Sequence, residues 1–231
     1  MKTDRPFLSV SALLYAASTV STIAWSALMP PGMSGMPMPG GWMMSMAWMR
    51  MPGQSWFKAA AIFLGMWAVM MVAMMLPSLM PVLRRYRQMV RGSHPDRSAA
   101  LLGAGYFLVW SLLGLAIFPL GVALADLEMR LPALARLVPL AIPLVMLGAG
   151  ALQFSSWKER QLACCGMVPA GGGGFSRGWR LGLHCVLSCA GPTAVLLVLG
   201  VMDLKAMALV TAAITLERLA PRGMSAARAL G

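Results

Sequence analysis

The sequence predicts an all-α fold, a polytopic transmembrane helical bundle of about six spans. Three observations carry this. Of 231 residues, 59% are apolar and only 11% are charged, where an ordinary soluble domain carries about 25% charged residues. Mean hydropathy is +0.73. The apolar residues also gather into runs near the ~20 residues that cross ~30 Å of hydrocarbon. Backbone groups in lipid must pair within their own segment, so these runs are read as helices. No strand-period alternation of the kind a membrane barrel needs is present. The composition excludes a soluble enzyme, a disordered chain and a disulfide-rich secreted scaffold.

The predicted spans, in order, are residues 7–29, 57–83, 99–125, 133–154, 181–201 and 206–220, all within one membrane domain, 1–231. Lys2 and Arg5 before the first run give it the charge pattern of a secretory signal. Its apolar stretch is longer than a usual signal core and no A-x-A site ends it, so it is read as a span. The sixth run is short and spans only by borrowing flanking residues or where the bilayer thins. The net charge of +12 would suggest nucleic acid in a soluble protein. Here the basic residues lie between apolar runs, and no Lys/Arg run interleaves with aromatics, so nucleic acid is not an expected partner. Residues 1–6, 84–98, 155–180 and the tail from 217 hold 14 Lys and Arg, against 5 on the other side. That bias places both termini in the cytoplasm of a bacterial inner membrane.

Soft-ligand chemistry dominates what remains. Methionine accounts for 23 residues, cysteine for 4 and histidine for 2. Nine methionines fall between Met29 and Met51, in an external loop, residues 30–56, whose Pro and Gly content argues against one regular helix. Thioether is a soft, neutral ligand that selects Cu(I) over zinc or magnesium, and the spacing Met33, Met36, Met38 lets sulfurs converge on one ion. The competing reading is an apolar plug, because methionine is also a flexible core filler. In the second span Met66, Met70 and Met74 share one face within about 80°. They are either a relay for a soft ion or a packing stripe. Pro77 and Pro81 are expected to break this ladder near its cytoplasmic end.

All four cysteines lie between residues 164 and 189. Cys185 and Cys189 are four apart, about 40° on the helical wheel, so two thiolates can share one ion on one face. His184 points about 100° away from Cys185, and Pro192 is placed to bend the helix near Ser188. Cys164 and Cys165 lie in the preceding cytoplasmic loop, residues 155–180, on the same expected side. In a reducing compartment all four are expected as thiols. Glu217 and Arg218, at the end of the last span, are functional candidates as ionisable residues of a membrane segment, and the favoured expectation is that the pair snorkels to the interface.

Three stretches of the chain carry a family resemblance. They are Met66-Trp-Ala-Val-Met-Met-Val-Ala-Met-Met-Leu-Pro-Ser78 with Pro81; Ala149-Gly-Ala-Leu-Gln153 with Lys158, Leu162 and Cys165; and Gly178, Gly182, Cys185 and Cys189 with Gly200-Val-Met202, Glu217 and Pro221-Arg-Gly223. With these the sequence resembles a bacterial family described as predicted metal-binding integral membrane proteins. The resemblance touches about two thirds of the chain and implies a metal-binding membrane protein. Two departures stand out. That family's pattern places a cysteine where this chain has Gln161, and its Gly-Cys-Cys-Trp run stands here as Leu187-Ser188-Cys189-Ala190.

No Ser/His/Asp set, P-loop or H-E-x-x-H motif occurs, and an enzyme is not the favoured class. The favoured function is soft-metal handling, with Cu(I) as the ion: binding, delivery or transport. The candidate ligands are Cys164, Cys165, Cys185, Cys189, His184, Met33, Met36, Met38, Met66, Met70 and Met74. A thiol–quinone oxidoreductase and an accessory subunit of a larger membrane complex are the alternatives. The former lacks a C-x-x-C motif and its thiols face away from the compartment where disulfides are made. Expected partners are the lipid bilayer, other membrane-protein subunits and a periplasmic metal carrier.

Overall fold

A computed structural model describes residues 5–28, 35–50, 53–90, 94–169, 171–201 and 203–219. Its helices are α1 (Arg5–Leu28), α2 (Trp56–Met89), α3 (Pro95–Arg130), α4 (Pro132–Ala135), α5 (Val138–Gln153), α6 (Ser156–Cys165), α7 (Gly174–Ser188), α8 (Ala190–Leu199) and α9 (Leu204–Leu219). A two-stranded antiparallel hairpin, β1 (Gly35–Met38) and β2 (Trp42–Ser45), and a short 3-10 turn at Met46–Trp48 lie between α1 and α2. The all-α reading therefore stands, with one small hairpin inside the methionine segment. Helices α1, α2 and α3 are each long and apolar enough to cross a membrane; counting each bent pair, α5–α6 and α7–α8, as one span gives up to five. Helix α9, with 16 described residues, is not among the candidate crossings, so the six spans expected become three to five among the described residues.

Several boundaries differ from expectation for local reasons. Helix α2 runs 34 residues straight through Pro77 and Pro81, about 50 Å at 1.5 Å per residue. Pro77 and Pro81 leave carbonyls one turn back without an amide donor, but neighbouring turns and tertiary packing carry the helix past them. Residues 155–180, expected as a loop, are largely helical. Ser155 starts α6, its Oγ accepting from the Lys158 N–H at 3.2 Å, which satisfies one of the helix's unpaired first-turn donors. The segment reads as a loop in the sequence because α6 is short and polar, and it lies 68° from α5.

The core is built on α2, α3 and α7. The indole of Trp67 on α2 is fully buried and its Nε1–H donates to the Trp110 carbonyl of α3 at 2.9 Å. Gly114 makes room for it: a Cβ there would fall 2.5 Å from the ring. Between α3 and α7 the approach is closer still. A Cβ on Gly178 would stand 1.9 Å from the Leu102 carbonyl oxygen, one on Gly174 2.6 Å from that of Ser98, and one on Gly182 2.9 Å from that of Tyr106. Glycines four apart put one bare stripe on one helix face, the means by which apolar helices reach backbone contact without a hydrophobic driving force between them. This stripe fixes the register between Tyr106 on α3 and the cysteines further along α7.

Candidate metal centre

Helix α7 ends at Ser188 and α8 begins at Ala190, the two bent by 61°. Cys189 is the joint, ending one helix and starting the next. Its N–H still reaches the Cys185 carbonyl at 2.9 Å, so Cys185 and Cys189 keep their one-turn relationship although the chain changes direction. Pro192 fits here because it occupies the first turn of α8, where its missing N–H has no intrahelical acceptor to lose. The bend expected near Ser188 is present, and the single straight span of residues 181–201 is replaced by two helices.

The Cys185 and Cys189 thiols are fully buried, and Cys165 at the end of α6 is buried with them. Into this group points Arg218 from the last turn of α9. Its Nη2 lies 2.8 Å from Cys185 Sγ, 3.5 Å from Cys189 Sγ and 3.9 Å from Cys165 Sγ. The other terminal nitrogen, Nη1, donates to Ser78 Oγ at 3.2 Å, in the proline-bearing part of α2. Tyr106 Oη lies 2.8 Å from Cys185 Sγ. Ser188 Oγ donates to the Cys185 carbonyl at 3.0 Å and turns its remaining capacity toward Arg218 Nη2 (3.5 Å), Cys165 (3.6 Å) and Cys189 (3.8 Å). Six elements, α2, α3, α6, α7, the α7–α8 joint and α9, thus meet at three sulfurs and one guanidinium.

Next to Arg218, Glu217 faces the other way and accepts from Lys158 Nζ of α6 at 2.9 Å, both side chains being about 4% exposed. Gln153 Nε2 donates to the same Oε1 at 2.9 Å. An ion pair removed from water holds only when the opposing charge and further hydrogen bonds offset the desolvation. Here it ties α6, which carries Cys165, to α9, which carries Arg218. The expectation that Glu217 and Arg218 snorkel to the interface is therefore overturned: both point inward, because each has a partner there.

Other sequence candidates fall elsewhere. Cys164 is half-buried, turned about 100° from Cys165 by helical geometry. His184 Nδ1 lies 2.7 Å from Gln161 Oε1, a link between α7 and α6 on a different side of α7 from the thiols. Met66, Met70 and Met74 are buried in the main core beside Phe63, Trp67 and Trp110, the environment of a packing stripe. Met38 is buried with Met44 against Ala125 and Ala135 in a second, smaller core, while Met36 is exposed. Met33 lies outside the described residues. Sequence reasoning missed Tyr106, Ser188 and Lys158 as parts of the centre and set Arg218 aside in favour of the interface. The available signal was an arginine and a glutamate adjoining the last apolar run, where an ionisable residue is a functional candidate by default.

Among the described residues, no three Cys, His or carboxylate side chains already form a metal cage. The three sulfurs share a neighbour instead of a ligand geometry, and that neighbour is the Arg218 nitrogen. The donor set nevertheless suits a soft monovalent ion: sulfur ligands, no carboxylate among them, and a dry surrounding.

No curated protein and no solved structure matches the chain. The family described as PpoB2, copper chaperone, matches residues 64–231. The match takes in all four cysteines, Lys158, Glu217 and Arg218, and starts after the methionine hairpin. The metal-binding character that the sequence resemblance implied is thereby narrowed to copper, and the chain belongs to the PpoB2 copper chaperone family.

Proposed function

We propose that the protein is an integral membrane protein that binds Cu(I) at the buried thiols and delivers it. Six segments cross or enter a bacterial inner membrane, with both termini cytoplasmic. The single observation that carries this reading is the convergence of Cys165, Cys185 and Cys189 on one buried point, within the region that matches a copper chaperone family. Thiolates bind Cu(I) far more strongly than thioethers and hold it best where the compartment keeps them reduced. Cys185 and Cys189 supply the two sulfurs a monovalent copper ion needs, and Cys165 a third. The exposed thioethers of Met36 and Met43 on the hairpin are weak, fast-exchanging contacts suited to capture from a periplasmic carrier. Met66, Met70 and Met74 serve the core, so delivery rather than passage along a methionine ladder is the favoured activity.

Metal analysis and Cu(I) titration of the full-length protein purified in detergent test the proposal. The expected result is one Cu(I) per chain, lost in the Cys185→Ser, Cys189→Ser double variant. Copper-free wild-type protein that takes up none on titration overturns it.

A further inference from the structure

Arg218 occupies the place where an ion held by all three sulfurs would sit. Its Nη2 lies within 4 Å of Cys165, Cys185 and Cys189 Sγ together, and a nitrogen and a copper ion cannot share that position. The guanidinium is not there by default of chain length. It is aimed by a second hydrogen bond to Ser78 Oγ and a third contact to Ser188 Oγ. Its neighbour Glu217 is already engaged by Lys158 and Gln153, so the carboxylate adjacent in sequence does not draw it away. Soft sulfurs buried together in a medium of low dielectric favour a cation beside them, and the cation that touches all three is this arginine.

We propose that Arg218 is an exchangeable placeholder for the cargo ion: it fills the three-sulfur pocket when copper is absent and swings out when Cu(I) enters. This rests on the Cu(I)-binding reading above and adds to it how loading and release are controlled. One positive charge replaces another as the guanidinium leaves and Cu(I) enters; each thiol proton displaced as an S–Cu bond forms passes to water and lowers the pocket's charge by one, and copper remains Cu(I). The guanidinium leaves its contacts with sulfur and Ser188 and turns along the last turn of α9, where the residue is already partly exposed. Because copper must compete with a tethered cation, the site binds less tightly than three free thiols would. On release the arginine returns and blocks back-binding. A delivery protein needs that property; a store does not.

The test uses the full-length protein in detergent with Cu(I) supplied from a chromophoric chelator. Phenylglyoxal labelling, read at the Arg218 peptide by mass spectrometry, is compared without and with one equivalent of Cu(I). The expected result is a shielded arginine that becomes at least ~5-fold more reactive on loading. Arg218→Gln, which removes the charge and keeps a polar side chain, is expected to bind Cu(I) about 10-fold more tightly against the same chelator, with Arg218→Lys between the two. Wild-type protein that binds Cu(I) while Arg218 stays shielded overturns the placeholder and leaves the copper reading intact. So does a folded Arg218→Gln variant, judged by an unchanged melting midpoint, with weaker binding. Wild-type protein that binds no Cu(I) overturns both.

Discussion

The thiol centre and the methionine hairpin are both rich in sulfur, yet they are held in opposite ways. At the thiol centre, residues up to 140 positions apart meet through charged and polar contacts, most of them made by Arg218 or the Lys158–Glu217 pair. The hairpin is local. Its strands are joined through Gly40 and Gly41, both in the left-handed region at φ 111° and 76°, which residues with a Cβ avoid. It is fastened to the bundle by apolar burial of Met38 and Met44 and by the hydrogen bond from Trp42 Nε1–H to the Ala135 carbonyl at 2.8 Å. Abundance of a ligand-forming residue is thus a poor guide to a site. Met66, Met70, Met71, Met74 and Met75 fill space in the core, while three of four cysteines surround a cation.

The comparison breaks most visibly at the ion pair. Glu217→Gln leaves Lys158 buried and unpaired, and the expected loss is roughly 3–5 kcal/mol, seen as a large fall in melting midpoint in detergent. The double change Lys158→Met with Glu217→Leu is expected to recover most of it. A Glu217→Gln variant that melts with the wild type would mean the pair is solvated and the α6–α9 clasp is not structural. Next is Cys185→Ser, expected to weaken Cu(I) binding by at least ~10-fold, about 1.4 kcal/mol, whereas Cys164→Ser stays within about twofold on the same 1.4 kcal/mol-per-decade scale. Equal effects in a chelator competition would erase the distinction between inward and outward thiols.

On the hairpin the effects are smaller. Trp42→Phe removes one hydrogen bond, worth about 1 kcal/mol, and amide exchange of residues 35–45 should speed up several-fold while Cu(I) affinity at the thiols holds. Met70→Leu keeps volume and is expected to cost less than ~1.5 kcal/mol without changing bound copper; a loss of copper there would restore the ladder. The smallest effect belongs to Met36→Leu with Met43→Leu. Both side chains are exposed, so stability should move by less than ~0.5 kcal/mol. Stopped-flow loading from a Cu(I) carrier should slow, and an unchanged rate would remove the capture role.

The long apolar runs that became α1, α2 and α3 were legible because twenty or more consecutive apolar residues have few other destinations. Cys185 and Cys189 were legible through their one-turn spacing. Helix α6 was not, since its ten residues carry polar side chains on every side and only the Ser155 cap marks its start. Arg218 and Tyr106 were hidden for a different reason. Tyr106 meets Cys185 across 79 positions, and only the glycine contacts between α3 and α7 set that register. The inward turn of Glu217 could not be read without Lys158, because a charge at the end of an apolar helix faces inward only when a partner waits there.

Helix α7 carries a consequence for how freely this chain can vary. Gly174, Gly178, Gly182, Cys185 and Cys189 fall within about 80° of one another on the wheel, so packing and chemistry write on the same strip. Any side chain at the first three positions meets backbone, and any loss of sulfur at the last two empties the pocket. On the far side Leu183 and Leu187 are exposed and can be exchanged for other apolar residues at little cost. Mutational tolerance along this one helix should therefore alternate between nearly none and nearly complete every half turn, and a saturation scan of residues 174–189 would draw the outline of the site without any metal being measured.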